Sequence, residues 1–361
     1  LAGSEGEQKA ANYIQKYFKR IGLKTHLQPF EYSIKLNPHD ENSSTPSKGT
    51  NVIGYLDNKA AKTIVIGAHY DHLGLNQHHQ STLMNSDGQI HNGADDNASG
   101  VSAVMELARI FVKNKTQEKV NYVFALFSAE EDGLIGSKKF AENVKSQYPN
   151  VVTMIYLDLV GRLDKDKNLT VGGVGSSPIF PDLVKKVKPA GYNITLDESG
   201  VGPSDHTSFY LKDIPVLFLF TGTHADYHKP SDDEDKINYY GVRAIVDYIF
   251  RVTNELSNTN EIPFTKTKVE AGKKVPTYKV TLGIMPDYSS SHNGLKIDHV
   301  MDDRPAIRAG LLDGDILQKL DDCVITDVYT YMECLSQLHP GQTISVQIMR
   351  NNKMIKLKVE L

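Results

Sequence analysis

The chain has 361 residues, 40% of them hydrophobic and 23% charged, with no Trp and a formal net charge of −4. That length accommodates two domains, or a large one with a small one. A mildly acidic balance without a dense basic cluster excludes nucleic acid or an anionic membrane as the main partner, and no apolar run reaches the length of a transmembrane span.

The chain opens with Leu1 instead of Met, inside a Gly-Ser-Glu-Gly helix start. An upstream segment, with any signal peptide or anchor, is therefore expected to have been removed. Ser4 is a suitable N-cap, with Glu5 and Glu7 in the first turn. Ala11, Ile14, Phe18 and Ile21 then recur at helical spacing until Gly22. Leu23 to Tyr32 alternates as a strand does, whereas Lys35 to Gly49 is polar and reads as a loop. Asn51 to Leu56 and Thr63 to Ala68 are short apolar strands, the second running into His69-Tyr70-Asp71-His72-Leu73-Gly74. The following loop carries His78 and His79, which have no carboxylate near them in sequence and are expected at the surface.

Gly93-Ala94-Asp95-Asp96-Asn97-Ala98-Ser99-Gly100 opens a helix whose apolar face is Val101, Val104, Leu107, Ala108 and Phe111. Val120 to Phe127 is almost wholly apolar and predicts a strand buried on both faces. It leads into Glu130 and Glu131, and adjacent buried carboxylates are costly unless something cationic meets them. Open α/β sheets place their sites at the carboxyl ends of such strands. One Glu there suits a metal ion while its neighbour moves protons.

Leu134 to Tyr148 reads as a helix, and Val151 to Asp158 as another buried strand ending in a carboxylate. Leu169 to Gly172 and Asn193 to Leu196 are short strands around a helix, Ile179 to Val187. Ser204-Asp205-His206 lies where a loop enters a helical turn. Val216 to Phe220 is the last core strand, followed by Tyr227-His228-Lys229-Pro230-Ser231-Asp232 and a closing helix to Leu256. The alternation predicts an α/β domain over 1–257, a mixed, largely parallel sheet sandwiched by helices. A polar linker is expected over 258–277 and a small β-rich domain over 278–361.

Imidazole and carboxylate without thiolate suit Zn²⁺, or less often Mn²⁺ or Co²⁺. Five such ligands with one shared carboxylate make two metal positions. Asp71 is placed to fix the tautomer of His69, and Asp232 that of His228.

His-x-Asp, Gly-Ala-Asp-Asp-Asn-Ala-Ser-Gly, Ala-Glu-Glu-x-Gly-Leu-x-Gly-Ser, Leu-Asp and Tyr-His-x-Pro-x-Asp together resemble the co-catalytic di-zinc aminopeptidases. Secreted bacterial leucyl aminopeptidases belong to that family, and glutaminyl cyclase and glutamate carboxypeptidase II are relatives. The resemblance covers Leu1 to Leu256. It implies that Asp96 bridges two Zn²⁺, with His69 and Asp158 completing one site and Glu131 and His228 the other. Glu130 would be the general base for a hydroxide shared by the ions, and Asp71 is counted with it among the catalytic residues. The substrates implied are peptides with a free N-terminus. Asp205 and His206 would wall the substrate pocket, and Tyr227 would either steady the oxyanion or pack on His228. The family often has a cis peptide after the bridging ligand.

Rivals on related folds are a single-zinc glutaminyl cyclase and a carboxypeptidase or dipeptidase with a lid domain. The interval from Asp158 to His228 is too short to hold that lid. A non-catalytic peptide-binding adaptor would be expected to have lost ligands or base.

From about Lys279 onward, Arg304-Pro305-Ala306-Ile307-Arg308-Ala309-Gly310-Leu311-Leu312-Asp313-Gly314-Asp315-Ile316-Leu317 is similar to the PDZ domains of bacterial stress proteases. That similarity implies a C-terminal peptide ligand added as a strand along Leu282, Gly283, Ile284 and Met285. Cys323 and Cys334, assigned to a turn and a helix, are expected to be free thiols. The aminopeptidase resemblance points to an exported, periplasmic or extracellular protein.

Overall fold

The computed structural model describes residues 1–35, 44–114, 116–267, 280–286, 294–300, 304–326 and 328–361. Helix α1 (Glu5–Ile21) starts on Ser4, whose side chain accepts a hydrogen bond from the Glu7 N–H. The strands of the large sheet are β1 (Lys24–Lys35), β2 (Ser44–Leu56), β3 (Thr63–His69), β4 (Asn121–Phe127), β5 (Val151–Leu157), β6 (Asn168–Gly172), β7 (Asn193–Leu196) and β8 (Val216–Phe220). The helices between and after them are α2 (Gly100–Lys113), α3 (Ile135–Ala141), α4 (Val144–Gln147), α5 (Phe180–Lys186), α6 (His206–Tyr210) and α7 (Tyr239–Asn258).

The sheet runs in the order β1-β2-β4-β3-β5-β8-β6-β7. Its centre, β4-β3-β5-β8, is parallel, and the β1-β2 hairpin and β6 add antiparallel pairs. Strands β3 and β4 are buried at every position, so hydrophobic runs rather than alternation mark them. Alternate residues nevertheless face two different cores. Ile64, Ile66, Tyr122, Phe124 and Ile155 pack with α1, α2 and α7, while Val65, Val123, Phe127 and Met154 pack with Phe140 of α3 and Phe209 of α6.

Because β3 lies between β4 and β5, the chain leaves it through α2 on one face and crosses back through α3 and α4 on the other. That reversal opens a crevice at the carboxyl ends of these three strands.

Two local expectations are corrected. Residues Ser44 to Gly49 are not loop: β2 starts at Ser44, pairing Ser44 with Lys35 and Gly49 with Phe30. A polar antiparallel ribbon is held by its ladder, which leaves no hydrophobic pattern to detect. The expected helix from Leu134 to Tyr148 is broken between Ala141 and Val144.

Residues 259–267 belong with the large unit, since the Thr265 N–H donates to the Ser176 carbonyl and Phe264 packs on Tyr210 at 5.3 Å. The rest of the expected linker, 268–277, lies outside the described residues.

The C-terminal region contains β9 (Ile284–Pro286), β10 (Leu295–Val300), α8 (Pro305–Arg308), β11 (Ile316–Leu320), β12 (Cys323–Val324), α9 (Val328–Ser336), β13 (Thr343–Arg350) and β14 (Lys353–Glu360). These strands form an antiparallel sheet with its own core, including Leu282, Ile297, Leu317, Tyr331 and Val346. The β13-β14 hairpin turns on Asn351 and Asn352, both at positive φ, as a two-residue turn requires. Leu282 and Ile284 are buried, and Gly283 at φ +75° is covered by Arg304, whose Cβ lies 2.0 Å from where a Gly283 Cβ would stand. Among the described residues, strand β9 ends the sheet order opposite β14, as an edge strand with one side unpaired in the sheet. Of Met285 only the backbone is described.

The free-thiol expectation is overturned: Cys323 and Cys334 form a disulfide with their Cα atoms 5.7 Å apart. Helix α9 folds back on β12, bringing together cysteines that are 11 residues apart in sequence.

Candidate metal centre

His69 ends β3, Glu130 and Glu131 follow β4, and Asp158 follows β5, so three neighbouring strands deliver them to one crevice. Asp96 comes from the segment before α2, which is buried yet not regular helix: Asp96 and Asn97 have non-helical backbone angles and the peptide between them is cis. Asn97 anchors this segment, donating to the Leu157 carbonyl at 2.9 Å and accepting the Gly100 N–H at 3.0 Å.

The donors fall into two groups that share Asp96. His69 Nε2 lies 3.2 Å from Asp96 Oδ1 and 3.3 Å from Asp158 Oδ1. His228 Nε2 lies 3.2 Å from Asp96 Oδ2 and 3.0 Å from Glu131 Oε2. Ligands placed tetrahedrally around Zn²⁺ at about 2.0–2.1 Å stand about 3.3 Å apart, so each of these imidazole–carboxylate pairs has the spacing of zinc donors; His72 also gathers closely with Asp96 and Glu131. His228 Nε2 and Asp158 Oδ1 are buried without a hydrogen-bond partner among the described residues. One belongs to each donor group, and a cation held there would satisfy it.

Electrostatics agree with this fit. Burial, opposed by His69, pushes the Glu130 carboxyl well above its ordinary range. Burial works the same way on Asp96 and Glu131, but imidazoles reverse it. His228 and His69 hold Asp96 well below its usual value, and His228 with His72 draws Glu131 down to about 2. Burial would lower His69 and His228, yet the surrounding carboxylates raise both. The crevice thus favours positive charge.

Ser204 ties the base candidate to the donor set, its hydroxyl lying 2.8 Å from Asp158 Oδ2 and 3.2 Å from Glu130 Oε1. The expected orienting residues act differently from their assignments. His69 Nδ1 meets the Asp71 backbone carbonyl at 3.1 Å, whereas the Asp71 carboxylate is 3.8 Å away and accepts the Glu130 N–H at 3.1 Å. Asp232 does not orient His228, whose Nδ1 meets the Gln80 carbonyl at 3.1 Å. Asp232 instead accepts the Asp95 and Asp96 N–H groups at 2.9 and 3.0 Å, because the chain turns after His228 and carries it beneath that segment. Arg162 neutralises it at 3.0 Å and also reaches Asp226 at 3.3 Å.

Replacing Arg162 by Met should destabilise the protein by about 2–3 kcal/mol, below the ~3–5 kcal/mol of a fully buried broken pair because Arg162 retains 18% side-chain exposure. A lower melting temperature and weaker metal retention would check it; an unchanged melt would remove this role.

Asp205 and His206 are fully buried. They form a layer beneath the crevice rather than an open wall. Asp205 accepts the Tyr156 hydroxyl at 2.9 Å and burial lifts its carboxyl to about 6; His206 stacks on Phe218 at 4.5 Å and burial drops it to about 3. Tyr227 lies flat on His228 at 4.0 Å.

His78 is corrected as well, since its Nδ1 meets Asp132 Oδ1 at 2.8 Å with the side chain 12% exposed, while His79 remains exposed. Sequence reasoning passed over His72, whose Nδ1 lies 2.9 Å from Glu131 Oε1, and His224, which faces buried Asp95 at 3.2 Å. The only sequence signal for His72 is its place three residues after His69.

Residues 51–253 match the model of "Peptidase family M28", and residues 280–361 that of a PDZ domain. "Leucine aminopeptidase 1" of Leptosphaeria maculans is 28% identical over 250 residues, 65% of this chain and 60% of that protein. The "Uncharacterized protein YfbL" of Escherichia coli is 26% identical over 66% of this chain and 77% of that one. The chain spans little more than half the length of the leucine aminopeptidases it matches. Among solved structures, the LapA aminopeptidase of Legionella pneumophila is 25% identical with a TM-score of 0.56, covering 72% of this chain and 68% of that one. The glutaminyl cyclase of Porphyromonas gingivalis shares the fold at 18% identity, TM-score 0.58, over 71% and 92%.

Proposed function

The chain belongs to peptidase family M28 and carries a PDZ domain at its C-terminal end; from that premise we propose that it is a zinc aminopeptidase that releases N-terminal residues from peptides. The observation that carries this reading is the split of Asp96 between two imidazoles, one carboxylate oxygen to each. His69, Asp96 and Asp158 would hold one Zn²⁺, and Asp96, Glu131 and His228 a second. Bound there, zinc supplies Lewis acidity to the scissile carbonyl and the attacking water.

The rest follows from the chain's own groups. Glu130, adjoining both donor sets, takes the proton from the attacking water. Its elevated proton affinity, set by burial, lets it hold that proton and then deliver it to the leaving amine. The Ser204 hydroxyl keeps the Glu130 carboxylate oriented. Water is limited because His69, Asp71, Asp96 and Asp158 are all buried.

The PDZ domain is assigned a peptide ligand along β9, and the disulfide supports export to an oxidising compartment. No helix among the described residues is long and apolar enough to cross a membrane.

The test is metal analysis with a panel of leucyl-p-nitroanilides, free or N-acetylated, plus glutaminyl peptides. Cleavage of free-amine substrates alone, with two zinc ions per chain, is expected. Cleavage confined to blocked substrates, or loss of ammonia from glutaminyl peptides without release of an amino acid, would overturn the assignment.

A further inference from the structure

A cleft of about 420 Å³ lies between α1 and α2 and reaches Asp71 and His72 at the edge of the metal centre. Its walls are largely apolar and aromatic, with Tyr13, Ile14 and Tyr17 on one side and Val101 and Met105 on the other. Volumes of about 300–1,000 Å³ with such walls suit small ligands. Of the two lining carboxylates, Asp71 lies at the edge of the metal centre, and Glu106 is held by Arg109 at 2.5 and 2.7 Å, so its charge is already paired.

His72 belongs to both regions. Its Nδ1 faces Glu131, while its Nε2 is buried without a hydrogen-bond partner among the described residues. With Nδ1 on Glu131, Nε2 is the ring nitrogen left to meet a ligand.

An exopeptidase that removes N-terminal residues needs a site that is closed at the amine end and open where the remaining chain leaves. The crevice has such an asymmetry. At the His69–Asp158 end, Ser204, Asp205 and His206 are no more than 2% exposed. At the Glu131–His72 end, the cleft passes to solvent between exposed Tyr13, at 66%, and Ser102.

We propose that this cleft is the subsite for the residue following the scissile bond, selecting a neutral apolar or aromatic side chain, and that His72 Nε2 hydrogen-bonds the backbone of the departing chain. The inference rests on the aminopeptidase reading and adds the side of the bond on which selection occurs. Acidic side chains meet no lysine or arginine among the lining residues, and the aromatic walls reward planar apolar groups.

The experiment compares kcat/KM for Leu-Phe-amide and Leu-Gly-amide, with N-terminal Leu constant. A second series varies the N-terminal residue before a constant Phe-amide. The wild-type chain is compared with Ser102→Trp, which fills the cleft from its exposed side, and Tyr13→Ala, which removes the opposite wall. Wild type should prefer Leu-Phe-amide by about tenfold or more, the scale of apolar pocket discrimination. Both variants should lose most of that preference through KM and leave the order of N-terminal preferences unaltered.

Variants that keep the preference, or alter the ranking of N-terminal residues instead, would overturn the proposal while leaving the aminopeptidase assignment intact. A wild-type chain that cleaves neither amide would overturn both. Because Ser102 and Tyr13 are exposed, melting temperatures close to wild type are expected. Equal losses on both amides, whatever the melt, would count against the cleft.

Discussion

Glu130→Gln is expected to lower kcat by about 10³-fold, within the usual range for loss of a general base, with zinc content unchanged. Gln keeps the size and one carbonyl oxygen of Glu, so the Ser204 hydroxyl still has an acceptor, and the backbone N–H still donates to Asp71. What disappears is the capacity to hold a proton in transit. Glu130 takes no part in the close contacts of His69 with Asp158 and of His228 with Glu131, so metal binding should survive the change. Metal analysis alongside single-turnover rates separates the possibilities. Full activity would remove Glu130 as the base, and joint loss of zinc and activity would make it a ligand.

The second large effect is at Asp96. Asp96→Ala should abolish tight binding of both zinc ions and take turnover to background, because the carboxylate serves His69 through Oδ1 and His228 through Oδ2. Removing a shared donor leaves two incomplete sites, each still crowded with buried carboxylates such as Glu131 and Asp158 whose mutual repulsion then has less cation to offset it. The measurement is zinc per chain by equilibrium titration, with activity and melting temperature followed in the same samples. Retention of one ion at wild-type affinity would mean that the donor groups are independent and that Asp96 does not bridge. Asp95→Ala is the companion variant: Asp95 faces His224, Ser99 and the Gly161 N–H instead of the donor groups. It should lower stability more than metal binding.

These outcomes depend on strand order as much as on residue type. The β4 strand was legible because its run of buried apolar residues has nowhere to sit except a sheet covered on both faces. The choice of Asp96 over Asp95 came with the motif, and the structure turns the two carboxylates in different directions. The polar strand at the start of β2 was not legible, since its pairing with β1 is made by backbone groups that every residue carries. The disulfide was missed for a similar reason: Cys323 and Cys334 meet only because α9 folds back on β12, and two isolated cysteines in sequence do not announce that contact. His78 reads as a surface residue until Asp132 is seen beside it.

By itself the sequence determined the α/β alternation, the motif residues delivered by the ends of β3, β4 and β5, and the β-rich C-terminal region. Hydrophobic runs and side-chain chemistry are local properties, and they survive in a one-dimensional reading. Tertiary structure alone decided which imidazole faces which oxygen, that Asp232 cradles backbone amides instead of orienting His228, and that a cleft opens from His72 between two helices. Each of these depends on groups far apart in the chain whose distances and directions are set only when the sheet order brings them together.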